Sequence, residues 1–281
     1  MTVPSPSGVE RRPMTVVGAG TLSRRIALML ATAGGEVRIV DPDAGQRDGA
    51  ADYVGRHLPE RAPGRPAPTT SSDLAAALEN VWLVVECVPE RLDAKRAVFA
   101  ELSARAPSDA VLATNSSSFP SSRLVDAVAR PTQLVNLHFY MPPDRTAVEV
   151  MSCGQTDPEV LDLLMGRLPA YGLEPFLVHR ESVGFIYNRI WAAIKREALA
   201  VVAEGVASPE EVDRIYALNE QGVGPFRRMD RVGLDVVLDI EEHYAEVRPG
   251  LSDEPRRLLR EYLEQGRLGR KSGQGFYDYG G

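Results

Sequence analysis

The 281-residue sequence predicts an α/β fold, a doubly wound parallel sheet followed by an all-helical C-terminal domain. Three observations carry that expectation. Short apolar, β-branched runs alternate with helical stretches through the first half. A glycine-rich turn, Gly18-Ala19-Gly20, joins the first run to a helical pattern. Beyond Arg180–Gly184 the strand signals vanish and only helical spacing remains.

The elements follow in order. Met1 to Pro13 carries three prolines and few large apolar residues, so it reads as a flexible tail. Arg11-Arg12 ahead of an apolar stretch could mimic a twin-arginine signal. A buried first strand over Met14–Gly18 explains that stretch better, because the glycine turn follows at once and no cleavage site does. Leu22, Ile26 and Met29 then recur at helical spacing. Glu36–Asp41 is a second strand. Trp82–Cys87 is a third, and its lack of alternation means burial on both faces. Ala110–Thr114 and Leu134–His138 follow, and Ala147–Met151 has a strand pattern. Pro59–Thr70, with four prolines, reads as a surface loop. In the helical half, Phe185–Glu204 keeps Ile186, Ile190, Ala193 and Ile194 on one face. Ser208-Pro209-Glu210-Glu211 has the N-cap serine, first-turn proline and third-position glutamate of a capping box. Leu258, Leu259 and Tyr262 mark a further helix, stopped at Gly266.

Composition narrows the function classes. Hydrophobic residues are 44% and charged residues 25%, enough for a real core. The formal net charge of −7 argues against a nucleic-acid footprint. Two distant cysteines, Cys87 and Cys153, exclude a disulfide framework and give no metal-ligand spacing, so no metal is expected. A cytoplasmic compartment is the expectation. No apolar run reaches the roughly 18 residues of a membrane span.

Gly18-Ala19-Gly20-Thr21-Leu22-Ser23 sits between a strand and a helix. The first glycine permits the tight turn, and the second lets backbone approach a pyrophosphate at the helix N-terminus. Ser23 replaces the third glycine, where helix–strand packing needs a small residue. Asp41 ends the second strand, about 20 residues on, where a carboxylate can hold ribose hydroxyls. Asp43 nearby disfavours a 2′-phosphate, so NAD is expected over NADP. Arg24 and Arg25 lie in the helix and could face solvent or a phosphate. The fold is therefore Rossmann-type. The expected organisation is a tail (1–13), an NAD-binding domain (14–182) and a helical domain (183–281).

Four histidines occur. His57, in the proline-rich arm, and His243, in a polar helical stretch, read as surface residues, and His179 could be structural. His138 ends a strand, and ligands bind at carboxyl strand ends in such sheets. Asn115-Ser116-Ser117-Ser118 brings an amide and hydroxyls to the same edge. Glu149 lies inside an apolar strand pattern, which is costly without a partner. A histidine is the obvious one, and such a pair fixes one tautomer and raises basicity.

These residues resemble the 3-hydroxyacyl-CoA dehydrogenase family from about Met14 to Tyr279. The resemblance rests on Gly18–Ser23, Val85-Glu86-Cys87-Val88-Pro89-Glu90, Thr114–Ser118 and Leu137-His138-Phe139-Tyr140. It continues through Gly184-Phe185-Ile186-Tyr187-Asn188-Arg189, Gly224-Pro225-Phe226, Val232–Asp235 and Gly269–Tyr277. The resemblance implies His138 as general base, Glu149 as its orienting partner, and Ser117 and Asn188 on the substrate oxygens. It implies Glu90 and Lys95 near the nicotinamide ribose and Asn115 near the nicotinamide, with Gly18, Gly20, Thr21, Leu22 and Asp41 holding the rest of the cofactor. By itself, Lys95 on a helix reads as a solvated face. The helical domain would close the cleft and form a homodimer contact.

Three departures stand against the family pattern: Ser23, Met141-Pro142-Pro143 in place of Asn-Pro with a loop to Glu149 about one residue shorter, and a short proline-rich segment from Pro42 to Asn80. That segment offers only Arg47, Arg56, Arg61 and Arg65 to grip CoA. The expected activity is oxidation of a 3-hydroxyacyl thioester in fatty acid metabolism. The alternatives are the same chemistry on a free hydroxy acid or carrier-bound acyl group, or a non-catalytic NAD-binding protein.

Overall fold

A computed structural model describes residues 3–58 and 68–280. The chain divides into two compact units, Met1–Ile186 and Tyr187–Gly281. The expected loop at Pro59–Thr70 lies mostly outside the described residues, and so do Arg61 and Arg65.

In the first unit the described residues form an eight-stranded sheet in the order β3-β2-β1-β4-β5-β6-β7-β8. The strands are β1 (Met14–Val17), β2 (Val37–Val40), β3 (Thr69–Ser71), β4 (Leu83–Glu86), β5 (Val111–Thr114), β6 (Leu134–Phe139), β7 (Ala147–Ser152) and β8 (Glu174–Val178). Strands β1 to β6 pair in parallel, β7 runs antiparallel to β6, and β8 returns parallel to β7. The first six have the doubly wound order, with the switch point between β1 and β4. Strands β1, β4 and β5 are buried at every position, which explains their continuous apolar spelling.

Helices α1 (Pro6–Val9), α2 (Thr21–Thr32), α3 (Ala44–His57), α4 (Leu74–Ala77), α5 (Leu92–Arg105) and α6 (Pro158–Arg167) complete this unit. Ile26, Ala27 and Leu30 of α2 and Phe99 and Leu102 of α5 are buried, three or four residues apart, as a helix lying on a sheet requires.

Two edges depart from the sequence reading. Strand β3 has three residues, all Thr or Ser, and carries no apolar signal. Strand β8 contains Pro175, which an edge strand tolerates because one side needs no ladder donor.

The tail is also corrected. Residues 6–9 form α1, whose N-cap Ser5 accepts from the Gly8 amide at 3.1 Å. Val9 is buried in the core, and Arg12 grips both carboxylate oxygens of Asp109 at 2.6 and 2.9 Å. An apolar plug and a bidentate ion pair tie this stretch down.

The second unit is helical: α7 (Tyr187–Ala203), α8 (Pro209–Glu220), α9 (Pro225–Val232), α10 (Leu234–Val247) and α11 (Glu254–Glu264). The Ser208 capping box forms as read, with Ser208 and Glu211 exchanging bonds of 3.2 and 2.8 Å. Leu199, Phe226, Met229, Leu234, Leu259 and Phe276 build its core.

Two buried aspartates explain the glycine motifs here. Asp213 accepts from the amides of Phe226 and Arg227 and from the Tyr277 hydroxyl. Asp230 accepts from the amides of Phe276 and Tyr277 and from the Tyr279 hydroxyl. A Cβ on Gly224 would stand 2.4 Å from Asp213, and one on Gly275 2.1 Å from Asp230. These glycines let backbone close on a carboxylate.

Candidate active site

The dinucleotide turn has two glycines with different reasons to exist. Gly18 has φ +105°, and a Cβ there would stand 2.8 Å from the Cys87 carbonyl oxygen. Fold geometry therefore demands it. Gly20 has φ −67° as the N-cap of α2, and a Cβ would meet nothing nearer than Ser23 Oγ at 4.0 Å. Neither torsion nor packing requires glycine at that point. Close approach of a ligand is the remaining reason, and no side chain caps these amides.

Ser23, in place of the third glycine, is buried, so its hydroxymethyl group fits the helix–strand contact. Asp41 Oδ2 accepts from the Ala19 amide at 2.9 Å, and its Oδ1 from the Asp43 amide at 2.9 Å. The carboxylate is thereby clamped beside the glycine turn. Gly18, Gly20 and Asp41 line one cavity of about 750 Å³. Open amides, a close-approach glycine and a strand-end acid fit a dinucleotide. Arg24 lies over the Tyr53 ring at 5.0 Å, and Arg25 bonds the Pro142 carbonyl and Asp144, which accounts for both arginines.

Cys87 lines the same cavity. Burial pushes its thiol pKa far up, and the Glu86 charge adds to this. It stays a thiol at neutral pH and is no nucleophile.

A second cavity, about 310 Å³, is lined by Leu22, Glu90, Asn115, Ser117 and His138, and also by Tyr140, Met141 and Arg145. Register explains part of this. His138 faces Glu149 directly across the antiparallel β6–β7 pair. The Nδ1 to Oε2 distance is 3.0 Å, with both side chains buried. A carboxylate only accepts, so Nδ1 carries the proton, and in the neutral tautomer this selects the lone pair falls on Nε2. Among the described residues Nε2 makes no hydrogen bond.

Glu149 is held from two further directions. The Tyr140 hydroxyl donates to Oε2 at 2.6 Å, and the Ile186 amide to Oε1 at 2.8 Å. The imidazole is sandwiched as well. Phe185 stacks on it at 4.6 Å and 10°, and Tyr140 meets it edge-on at 4.7 Å. Phe185 has φ +53°, a costly torsion for a bulky residue, of about 1–3 kcal/mol, tolerated at sites where surroundings fix it.

Asn115 Oδ1 accepts from the Phe139 amide at 2.9 Å, which fixes that side chain beside His138. Ser117 is exposed on the cavity wall. Thr21 is exposed at the start of α2.

Lys95 departs from the solvated-face reading. Its side chain is 1% exposed and its ammonium lies 2.8 Å from Glu86 and 3.1 Å from Glu90. It sits behind Glu90 and positions it; Glu90, not Lys95, lines the cavity. Desolvation works against the ammonium, yet Glu86 and Glu90 hold its pKa above ordinary. Burial alone would raise the Glu90 carboxyl, but Lys95, the Ser116 hydroxyl and the Ser118 amide outweigh it and hold it low.

Sequence reasoning gave no role to Glu86, Tyr140 or Phe185. Glu86 is fully buried and also takes bonds from Thr114 Oγ1 and the Val88 amide. Its place in the centre of an apolar strand was a signal of the same kind as Glu149. Asn188 is the second residue of α7 in the helical unit, half-buried. His57 and His179 are exposed, and the His243 side chain is 41% exposed.

Among the described residues no group of His, Cys, Asp and Glu could hold a metal, and no helix is long and apolar enough to cross a membrane.

Comparison with known proteins gives the family. Residues 13–181 match the family model for the NAD binding domain of 3-hydroxyacyl-CoA dehydrogenase, and residues 184–279 match that for its C-terminal domain. A probable 3-hydroxybutyryl-CoA dehydrogenase of Deinococcus radiodurans is 34% identical, covering 94% of this chain and 99% of that protein. A 3-hydroxyacyl-CoA dehydrogenase-like protein of Cochliobolus heterostrophus is 46% identical over 147 residues, 51% of this chain and 31% of that one. The crystal structure of (S)-3-hydroxybutyryl-CoA dehydrogenase from Ralstonia eutropha superposes with a TM-score of 0.87 at 28% identity, covering 96% of this chain and 100% of that one. The chain belongs to the 3-hydroxyacyl-CoA dehydrogenase family and carries its NAD-binding and C-terminal domains in that order.

Proposed function

We propose that this chain is an NAD-dependent oxidoreductase that interconverts a 3-hydroxyacyl thioester, carried on CoA, and its 3-oxoacyl form, with His138 as general base. The observation that carries the reading is His138, on the wall of the cavity that Ser117 shares, paired with Glu149 behind it at 3.0 Å. Glu149 holds the Nδ1 proton, so Nε2 is the atom that takes the proton of the substrate hydroxyl. Ser117 and Asn188 orient the substrate oxygens. NAD, when bound, supplies the hydride acceptor. Gly18, Gly20, Thr21 and Asp41 hold its adenosine and pyrophosphate part, and Leu22, Glu90 and Asn115 line the nicotinamide end, with Lys95 fixing Glu90 from behind. On the reverse reaction the protonated imidazole returns the proton to the carbonyl oxygen.

A second reading keeps this chemistry on a free hydroxy acid or an acyl group on a carrier protein. It draws on the weak basic character of the segment 42–80. There Arg47 is engaged with the carbonyls of Asp41 and Pro42, and Arg56 pairs with Asp52, so neither is committed to a CoA phosphate. The protein is further read as a cytoplasmic homodimer, assembled through the helical unit, in fatty acid metabolism. Its two free cysteines and the exposed Ile190, Ile215 and Leu218 of α7 and α8 support that.

The test is initial-rate assay of 3-hydroxybutyryl-CoA, free 3-hydroxybutyrate and a 3-hydroxyacyl carrier protein with NAD and with NADP, reading reduced-nicotinamide absorbance. Turnover of the CoA ester with NAD is expected. Reaction of free acids alone would replace the thioester reading with the second one. No reaction of any of the three would end the dehydrogenase reading.

A further inference from the structure

We propose that Arg145 is a specificity-determining residue that takes a carboxylate carried by the substrate. The inference rests on the dehydrogenase reading above and goes beyond it by naming a charge the substrate bears.

Most polar groups of the 310 Å³ cavity already have partners. Glu90 is covered by Lys95, the Ser116 hydroxyl and the Ser118 amide. Tyr140 is turned onto Glu149, and Asn115 Oδ1 onto the Phe139 amide. His138 Nδ1 is committed to Glu149. Among the described residues this leaves Nε2 of His138, the Ser117 hydroxyl, the Asn115 amide nitrogen and the Arg145 guanidinium. The first three are the groups that hydroxyl-to-carbonyl chemistry uses. The fourth is a full positive charge with no duty in that chemistry.

Arg145 has an acidic neighbour in sequence, but that acid is taken. Asp144 pairs with Arg25 at 3.1 Å, and Arg25 also holds the Pro142 carbonyl at 3.0 Å. Arg25 thus anchors the turn between β6 and β7 from the α2 side and removes the carboxylate that could have neutralised Arg145. The turn is closed by the Arg145 amide, which donates to the Met141 carbonyl at 3.0 Å. Among the described residues the Arg145 guanidinium has no hydrogen bond or ion pair, yet it lines the cavity with the base.

The same lining holds the apolar Leu22, Phe139 and Met141 beside the polar groups already accounted for. Met141 lines the cavity with Arg145, at the place where the sequence departs from Asn-Pro and the loop shortens. An exposed guanidinium without a carboxylate of its own, lining the same small cavity as the base, favours a ligand that brings an anion. The guanidinium's planar fork matches a carboxylate in two hydrogen bonds. Two kinds of substrate offer one: a hydroxyacyl thioester with a distal carboxylate, and a free hydroxy acid with the carboxylate at C1.

The experiment measures kcat and KM at saturating NAD for wild type, Arg145→Gln and Arg145→Lys. The substrates are 3-hydroxybutyryl-CoA, with an uncharged acyl chain, 3-hydroxyadipyl-CoA, with a distal carboxylate, and free 3-hydroxybutyrate. Thermal melting of each variant checks that the fold is kept. The expected result is that Arg145→Gln lowers the kcat/KM of one carboxylated substrate, relative to 3-hydroxybutyryl-CoA, by about tenfold or more, the scale of one lost charge-assisted hydrogen bond. The loss falls on KM, and Arg145→Lys recovers part of it. Loss on 3-hydroxyadipyl-CoA assigns the distal group; loss on 3-hydroxybutyrate assigns C1. An equal loss on both thioesters with none on the free acid would assign the guanidinium to a CoA phosphate and overturn the proposal. Unchanged ratios would overturn it while leaving the dehydrogenase reading intact. A wild type that oxidises none of the three would overturn both.

Discussion

His138 and Glu149 stand directly opposite one another in the β6–β7 antiparallel pair, with 3.0 Å between Nδ1 and Oε2. Backbone register itself sets the dyad. Glu149 accepts from the imidazole, the Tyr140 hydroxyl and the Ile186 amide. Glu149→Gln offers one acceptor oxygen and forces an amide N–H against a donor. Turnover is expected to fall on the order of 10²-fold, with NAD affinity kept. Steady-state kinetics alongside calorimetric NAD titration measures both, and equal losses in the two would show Glu149 to be structural.

Tyr140→Phe removes one of those donors and leaves ring packing on His138 in place. The expected outcome is a fall in kcat of roughly tenfold or less, the scale of one hydrogen bond to a charged group, with little change in KM. A KM change of the same size with kcat preserved would instead put the hydroxyl on the substrate.

Lys95→Met strips the cation from a buried pair whose members are 1% and 0% exposed. Removing one partner of such a pair destabilises by about 3–5 kcal/mol, readable as a lower urea midpoint. The pH dependence has a definite sign. The Lys95 pKa is raised from 10.5, so its contribution is full below that value and is lost as pH climbs through the folded-state value above it. The Glu90 pKa is lowered from 4.5, so its contribution is full above that value and is lost as pH drops through the folded-state value below it. Wild-type stability is therefore expected to lose these two contributions only outside about pH 5 to 10. Equal urea midpoints for wild type and Lys95→Met at pH 7 would contradict the assignment.

Asp230→Asn tests the glycine motif of the helical unit. Asp230 is 1% exposed and accepts two backbone amides and the Tyr279 hydroxyl. The amide leaves one donor unanswered, and a loss of about 1–3 kcal/mol is expected in thermal or urea unfolding. A variant as stable as wild type would mean these bonds carry no net weight.

Much of the sheet was legible because buried parallel strands spell themselves as apolar runs, as Met14–Val17 and Leu83–Glu86 do. The edges were not. Thr69–Ser71 has no apolar residue to announce it, and Pro175 disguises the last strand. The dyad was legible for a different reason: an acid inside an apolar strand demands a partner. Glu86 gave the same signal, and its partner Lys95 is hidden on a helix nine positions later, where charge spacing suggests solvent. Phe185 and Ile186 belong to a motif that was visible, but their stacking and amide contacts depend on a left-handed torsion that sequence does not mark at a phenylalanine. The tail misled because one valine and one arginine, Val9 and Arg12, suffice to fasten it.

The central claim is that the His138 imidazole moves the substrate proton. His138→Ala, assayed for turnover of 3-hydroxybutyryl-CoA and for NAD affinity by calorimetry, tests it most directly. A loss of turnover of roughly 10²–10⁴-fold, with the NAD dissociation constant within about twofold of wild type, is the expected result. Turnover within a few-fold of wild type, in a variant that still binds NAD, would contradict the claim.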